Sequence, residues 1–408
     1  MQKKILLLGF LLLTSSFTVI SCAEDDGFGV EQTNNSVVSL TLTGSNISEY
    51  KTITIQATEI NTGSIVTQTV ENTNTILLDL PKGSYKIVVN SDVISRENEK
   101  ITVASTTRLD VVNRVENFSI QLYAKQFSDD FILEEIFFAG VQTPEGKAYN
   151  SSRYFKLTNN TDKVLYADGV IIGQSEFLTS VNNNVTPYDK ESYFPIKGMM
   201  VLPGSGTEYP VQPGDFIVIA DNAINHHANN TNAFDLSNAN FEFPNNNPAQ
   251  GNVDNPAVPN VDVVFTTYNF NMIFLNNSGV EAYVLARFPE GEDRTTFIAN
   301  YKYDYSFTNA TGKVTSKSVY KIPNTWIVDG VNTASPDKLL HLLTSSSIDG
   351  GSTGVGSSYQ NTDRYGKSIR RVVIGQSVDG KNVYKDTNDS SVDFIKNAEP
   401  SLKNGIVH

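Results

Sequence analysis

Cysteine is almost missing from these 408 residues: Cys22 is the only one. No intramolecular disulfide can form, so the folded regions must hold together by core burial, and the chain is long enough for two or three domains that do so. Catalytic motifs are missing as well. There is no serine nucleophile elbow, no cysteine nucleophile and no zinc-protease motif, which argues against an enzyme. Histidine is scarce, with only His226, His227, His341 and His408. None stands at a standard metal-ligand spacing, and the neighbours His226 and His227 would face opposite ways on a strand. In a loop they would have Asp221 or Asp235 close by, but the expectation is no metal and no cofactor. Basic charge is in deficit, with 31 Lys and Arg against 44 Asp and Glu and a net charge of −13. No basic stripe with interleaved aromatics offsets this, so the overall field does not draw nucleic acid or anionic lipid.

What is present begins at the amino terminus. Lys3 and Lys4 precede an apolar run, Ile5 to Leu13, then small and polar residues, then Val19-Ile20-Ser21-Cys22. Basic, apolar, small, cleavage site is the order of a secretory leader, here residues 1–21. The run is short for a bilayer core of about 30 Å, so a retained spanning helix is the weaker reading. Cys22 stands where a lipoprotein signal peptidase cuts, and its thiol would carry a diacylglycerol. At roughly 0.8 kcal/mol per buried methylene, two or more chains anchor a protein stably. Loss of Lys3 and Lys4 with the leader takes the net charge from −13 to −15. Glu24-Asp25-Asp26 follow at once and resemble the acidic signal by which Bacteroidota send lipoproteins to the outer face of the outer membrane. The expected location is therefore that membrane, lipid-anchored and facing the exterior.

Residues 22–35 lack apolar periodicity and read as an acidic tether. From residue 36 the pattern has period two: Val38, Leu40 and Leu42 alternate with polar residues, as do Ile53, Ile55 and Ala57. Further strands are expected at 65–70, 75–80, 86–90, 100–103, 107–112 and 117–122, which suits a β-sandwich over 36–126. A second, larger β-sandwich with long loop insertions is expected over 127–408. Its strands are expected at 131–138, 153–157, 164–172, 216–220, 261–266, 271–275 and 281–287, with more at 296–301, 318–322 and 371–374. One helix is expected at 337–343. The polar stretch 222–260 and the Ser- and Gly-rich 345–364 exceed the usual loop length, which marks function or disorder.

Three clusters invite a chemical reading. Glu134-Glu135 would point to opposite faces of a strand, which disfavours joint acid–base work. Gly350 to Gly356 lacks the Lys-Ser/Thr ending of a phosphate loop and reads as a flexible surface loop. Lys367, Arg370 and Arg371 form one basic cluster, suited either to internal ion pairs, the favoured role, or to contact with an acidic partner surface. Aromatic-rich stretches at 234–243 and 268–274 fit core packing, or anchoring of a partner.

The phrase Leu80-Pro81-Lys82-Gly83-Ser84-Tyr85 resembles the corner of prealbumin-like and carboxypeptidase-regulatory-like modules, in which the tyrosine packs over the end of an Ig-like core. Several phrases of the second region, among them Glu135-Ile136-Phe137-Phe138-Ala139-Gly140, Ala220-Asp221-Asn222-Ala223, Val253-Asp254-Asn255-Pro256 and Tyr365-Gly366-Lys367-Ser368-Ile369-Arg370-Arg371, resemble the DUF4876 family of Bacteroidota lipoproteins across most of residues 35–400. The stretch from Tyr154 to Gly169 also resembles the opening of lamin-tail-like domains. The family resemblance implies an outer-membrane location and no established activity. It leads to an expected role as a non-catalytic accessory of an outer-membrane β-barrel, a TonB-dependent receptor first. A subunit of outer-membrane assembly or export machinery, and a glycan- or siderophore-binding lipoprotein, are the alternatives.

Overall fold

The computed structural model describes residues 35–44, 47–96, 100–124, 130–182, 184–244, 254–269, 273–308, 311–377 and 380–408. Cys22, Glu24, Asp25 and Asp26, with the leader and the tether up to residue 34, lie outside them.

The first region has strands β1 (Asn35–Thr43), β2 (Ile47–Glu59), β3 (Ile65–Glu71), β4 (Thr75–Pro81), β5 (Gly83–Ser95), β6 (Lys100–Val111), β7 (Val115–Gln121) and β8 (Tyr123–Ala124). They form two sheets, β4-β1-β7 and β3-β2-β5-β6-β8. Sequence alternation becomes alternation in burial. Along β1, Val38, Leu40 and Leu42 are buried and the residues between them are not. They meet Ile53, Ile55, Ala57, Ile87 and Val89 of the other sheet in one core. Each Val, Leu or Ile among them contributes about 1.5–3 kcal/mol on burial. The corner holds as expected: Tyr85 is buried and its hydroxyl donates to the Pro81 carbonyl at 2.9 Å. The two strands expected at 100–103 and 107–112 are one, β6, because no Gly, Pro, Asn or Asp interrupts Ala104-Ser105-Thr106.

The second region continues with β9 (Ile132–Phe137), β10 (Val141–Gln142), β11 (Ala148–Tyr149), β12 (Tyr154–Thr158), β13 (Leu165–Tyr166), β14 (Ile171–Ser175), β15 (Tyr193–Val201), β16 (Pro210–Val211), β17 (Phe216–Ala220), β18 (Phe241–Glu242) and β19 (Asp262–Thr266). Then come β20 (Ala282–Ala286), helix α1 (Arg294–Asn300), β21 (Lys302–Thr308), β22 (Val314–Pro323), β23 (Ile327–Asn332), β24 (Ser368–Arg371), β25 (Val373–Gln376), β26 (Asn382–Tyr384), helix α2 (Ser390–Asp393) and β27 (Phe394–Ala398). A six-stranded sheet runs β18-β17-β12-β9-β24-β27, and a seven-stranded sheet runs β21-β22-β15-β14-β20-β23 with β19 beside β15.

The sheets share one core, in which Phe155, Leu157 and Ile219 meet Ile172, Met200 and Leu285. Their far faces are covered too. Phe234, Leu236, Leu402 and Ile406 lie over Phe137, Tyr154 and Val218 of the six-stranded sheet. Phe297, Tyr303 and Trp326 pack with Ile171, Ile196 and Val284 of the seven-stranded sheet. Strands β9, β12, β14 and β20 are therefore buried at every position. The all-β sandwich class holds. Among the described residues no helix is long and apolar enough to cross a membrane.

Several local expectations are corrected. The stretch 222–260, where described, is folded cover: Ala223, Ala233, Phe234, Leu236, Ala239, Phe241 and Phe243 are buried. Phe234, Phe241 and Phe243 are thus core and not partner anchors. Gly350 to Gly356 is no flexible surface loop either, since a Cβ on Gly354 would stand 2.0 Å from the Ala334 carbonyl oxygen. Residues 337–343 form no helix. Ser335 and Asp337 close a turn, and Leu339 and Leu340 face outward, so no apolar stripe exists to bury. Residues 296–301 lie in α1 and the residue that follows it. Asp293 and Thr296 make a reciprocal capping box that fixes this start in place of a strand. The 164–172 stretch breaks at Gly169, whose φ of +70° turns the chain between β13 and β14. Residues 273–275 are not a strand, and 271–272 lie outside the described residues.

Candidate functional site on the six-stranded sheet

The carboxylates of β9 organise the outer face of this sheet. In the pairing with β12, Lys156 stands opposite Glu135 and Leu157 opposite Leu133, which leaves Glu134 as an extra residue in a β-bulge. The bulge overrides the alternation expected of neighbours, and Glu134 and Glu135 both find partners on the outer face. Glu134 accepts from Lys156 Nζ at 2.8 Å, from the Tyr384 hydroxyl at 2.8 Å and from the Thr158 hydroxyl. Glu135 accepts from Ser368 Oγ at 2.5 Å, from the Ser401 amide at 3.0 Å and from the Ser401 hydroxyl. Burial pushes the Glu135 carboxyl up, against the hydrogen bonds of Ser368 and Ser401. Burial also pushes the Tyr384 hydroxyl well up, with the Glu134 charge adding to it. Both acids are buried and held by several donors, so neither is poised as a free base.

Over this floor lies an open cleft of about 510 Å³, walled by β16, β17 and the β25–β26 hairpin. Lys156 Nζ sits 4.0 Å from the centre of the Phe216 ring, and the His408 ring stacks on the same phenylalanine at 5.3 Å. At the rim Lys381 pairs with Asp215 at 2.6 Å. The charges of floor and rim are matched in pairs, so the cleft offers shape and hydrogen bonds with no net charge. Sequence reasoning overlooked Lys156, although a lysine inside the apolar run Tyr154 to Leu157 is the natural counterpart of glutamates inside the apolar run of β9.

The basic cluster divides. Arg371 is 2% exposed. It donates to both Asp329 oxygens at 2.7 and 2.8 Å, to Asp386 at 3.1 Å and to the Leu133 carbonyl at 2.9 Å, with Asp393 at 3.7 Å. Burial opposes its charge, and the carboxylates of Asp329, Asp386 and Asp393 outweigh that and hold the guanidinium pKa up. A partner contact through Arg371 is thereby excluded, and the internal ion pair is its role. Asp329 also accepts from the Leu133 amide at 2.6 Å. Leu133 adjoins the bulge, so the pair takes both backbone groups of that residue and ties β23 of one sheet to β9 and β24 of the other. Arg370 is half-buried and reaches the Glu399 carbonyl at 3.4 Å, and Lys367 is half-exposed near Asp363.

The histidine pair is separated. His226 is buried, with Nε2 against the Asn222 carbonyl at 2.8 Å and Nδ1 against the Tyr149 hydroxyl at 2.7 Å. The carbonyl demands a proton on Nε2, so Nδ1 accepts from Tyr149. Burial lowers the His226 pKa. His227 Nδ1 lies 3.1 Å from the Ala233 carbonyl. Among the described residues no group of three or more His, Cys, Asp or Glu converges as a metal site.

Comparison with known proteins matches a family model to part of the chain. No curated protein matches the chain. A family model described as "Protein of unknown function (DUF4876)" matches residues 212–401. A crystal structure of a DUF4876 family protein from Bacteroides thetaiotaomicron VPI-5482 is similar over 90% of this chain and 96% of that one, with a TM-score of 0.61 and 24% identity. A crystal structure of a "putative adhesin" from Bacteroides ovatus ATCC 8483 matches over 76% of this chain and 88% of its own, at 10% identity and a TM-score of 0.19. The family that the sequence phrases resemble is thus the one found: DUF4876, of unknown function, matched in residues 212–401 and sharing its fold with most of the chain.

Proposed function

We propose that this chain is a surface-displayed lipoprotein of the outer membrane that works without catalysis, as an accessory of an outer-membrane β-barrel, a TonB-dependent receptor first. The observation that carries the reading is the order of the first 26 residues: basic, apolar, Cys22, then Glu24-Asp25-Asp26. The committed state of the buried acids supports the non-catalytic part, since Glu134 and Glu135 are saturated by donors. Lys367 and Arg370 are the basic residues left to meet an acidic partner surface.

Two measurements test it. Mild-detergent solubilisation followed by affinity purification recovers a β-barrel with the chain, and recovery of the chain alone sinks the partnership. Protease added to intact cells cleaves the wild type, while a variant with Glu24, Asp25 and Asp26 neutralised is protected. Resistance of the wild type on intact cells, with cleavage after lysis, overturns surface display and leaves the partnership standing.

A further inference from the structure

The sheet β3-β2-β5-β6-β8 ends on β3, which pairs with β2 alone. The Glu59 amide donates to the Ser64 carbonyl at 2.8 Å, and the Asn72 amide to the Lys51 carbonyl at 2.8 Å. These pairs stand at the two ends of the β2–β3 register, and backbone groups alternate in direction along an antiparallel strand. Val66, Gln68 and Val70 therefore bond inward to β2. Ile65, Thr67, Thr69 and Glu71 turn their N–H and C=O groups outward, where among the described residues no hydrogen bond meets them. Sheets usually guard such an edge with charge, proline or a bulge. Here the edge strand β4 carries Asp79 and Pro81, β21 carries Lys302 and Asp304, and β27 carries Lys396. Along β3 nothing of the kind stands before its last residue: Ile65 to Val70 is uncharged and free of proline, and it pairs with β2 without a register shift.

The strand is also self-complementary. Val66-Thr67-Gln68-Thr69-Val70 reads the same in both directions. With a two-fold axis at Gln68 and a second β3 running antiparallel, Thr67 faces Thr69 and Ile65 faces Glu71 as hydrogen-bonded pairs. Every outward N–H and C=O of the strand then has a partner. Gln68 faces Gln68 and Val66 faces Val70 as the alternate pairs, whose side chains come closest. Val66 and Val70 are half-buried at the margin of the first core, so each covers the open side of the other. On the wet face Thr67 meets Thr69, the kind of pair that Thr69 already makes with Thr54 at 3.2 Å. Glu71 faces an isoleucine, so no like charges oppose. An axis moved by one residue would set valine against glutamine.

We propose that β3 is a dimerisation edge, which pairs antiparallel with β3 of a second copy of this chain and joins two five-stranded sheets into one. The contact uses the first region only and is independent of any barrel partner. A single strand makes a modest interface, so the association is reversible and grows with concentration.

Sedimentation equilibrium of the full purified chain in detergent, over a series of protein concentrations, should show the mass rising by one chain. Thr67→Pro removes an outward N–H that the single chain does not use, and puts the proline ring where the second copy would bond. In the same detergent this variant should keep the mass of one chain at every concentration, with the far-ultraviolet circular dichroism of the wild type. The comparison also separates strand pairing from two chains that merely share a micelle. Oxidative cross-linking reads the register, and does so whether or not the proline variant folds. Across the axis the two Gln68 Cα atoms lie about 4.5 Å apart, within reach of a disulfide. The two Glu71 Cα atoms lie about 20 Å apart, at roughly 3.4 Å per residue. Gln68→Cys should therefore give a cross-linked dimer above the background of the wild type, which has Cys22 alone, and Glu71→Cys should not. The proposal is overturned if the wild type keeps the mass of one chain throughout, or if a folded Thr67→Pro associates as the wild type does. It is equally overturned if Gln68→Cys stays at background, or if Glu71→Cys cross-links as readily.

Discussion

The two β regions solve the same problem with different interiors. The first packs two sheets with their outer faces in water, and its core is almost wholly aliphatic. The second covers both faces of both sheets, and it buries charge: Glu134, Glu135, Lys156, Arg153, Asp221, Asp329 and Arg371 are all inside. A sheet with one wet face needs one apolar side chain in two. A sheet with neither face wet must place its polar residues somewhere, and here it places them against one another. Arg153 with Asp221 at 2.7 Å and Lys156 with Glu134 at 2.8 Å show the pattern. Such pairs add little net stability but are costly to break.

Four measurements separate the two regions. Trp326 is the only tryptophan and lies in the second region, so its fluorescence reports that region alone. Arg371→Leu strands three buried carboxylates and should lower stability by about 3–5 kcal/mol in urea unfolding followed at Trp326. A loss below about 1 kcal/mol would mean that burial of apolar surface, and not the ion pair, holds the sheets together. Leu40→Ala in the first core should cost about 2–5 kcal/mol, seen by far-ultraviolet circular dichroism and not at Trp326. A matching shift at Trp326 would show that the regions unfold as one.

The third measurement is pH. Burial raises the carboxyls of Glu135, Asp221, Glu242 and Asp349, and pushes Asp329 up to about 7. A raised folded value means that the folded state holds the proton more tightly. The stability from these groups is then full below about pH 4 and is lost as pH rises through the folded values. His226, lowered by burial, runs the other way, with its contribution present above about pH 6.5 and lost as pH falls. In the first region, hydrogen bonds from Thr62 hold Glu59 low, and those from Asn113 hold Glu116 low, so their contribution is lost only in acid. Going from about pH 8 to 5.5 should therefore raise the stability read at Trp326 and leave the first region flat. A fall at Trp326 would give His226 the controlling role. The smallest effect is expected of Arg370→Ala, within about 0.5 kcal/mol by the same urea assay, since its neighbour and not Arg370 carries the buried pair.

These contrasts also explain what could be read from sequence. Alternation marked β1, β2, β4 and the Tyr85 corner because one face of each sheet is wet. In the second region that signal fails. Strand β15 hides behind Pro195 and Gly198, yet Pro195 serves the sheet through its carbonyl, which accepts from the Glu176 amide at 2.9 Å. The charges Glu134, Glu135 and Arg371 were visible, but not their neighbours: a bulge sets the first two on one face, and Asp329 lies 42 positions from Arg371. The polar stretch at 222–244 looked unstructured because its apolar residues keep no period. They meet the sheet one at a time from an irregular backbone held by a short 3-10 turn at His226–Ala228 and by side-chain caps, such as Asn225 accepting from the Ala228 amide.

Strand β9 opens the second region, and its partner β24 arrives late: Arg371 reaches the Leu133 carbonyl across 238 positions of chain. Until residues 368–371 emerge, one edge of β9 has open donors and acceptors and the bulge lacks its guanidinium. The order of synthesis thus imposes a waiting period in which a nearly complete chain presents a sticky edge, the state most prone to wrong pairing. Pairings this distant also slow folding. That edge stays vulnerable until residues 368–371 are available to pair with it.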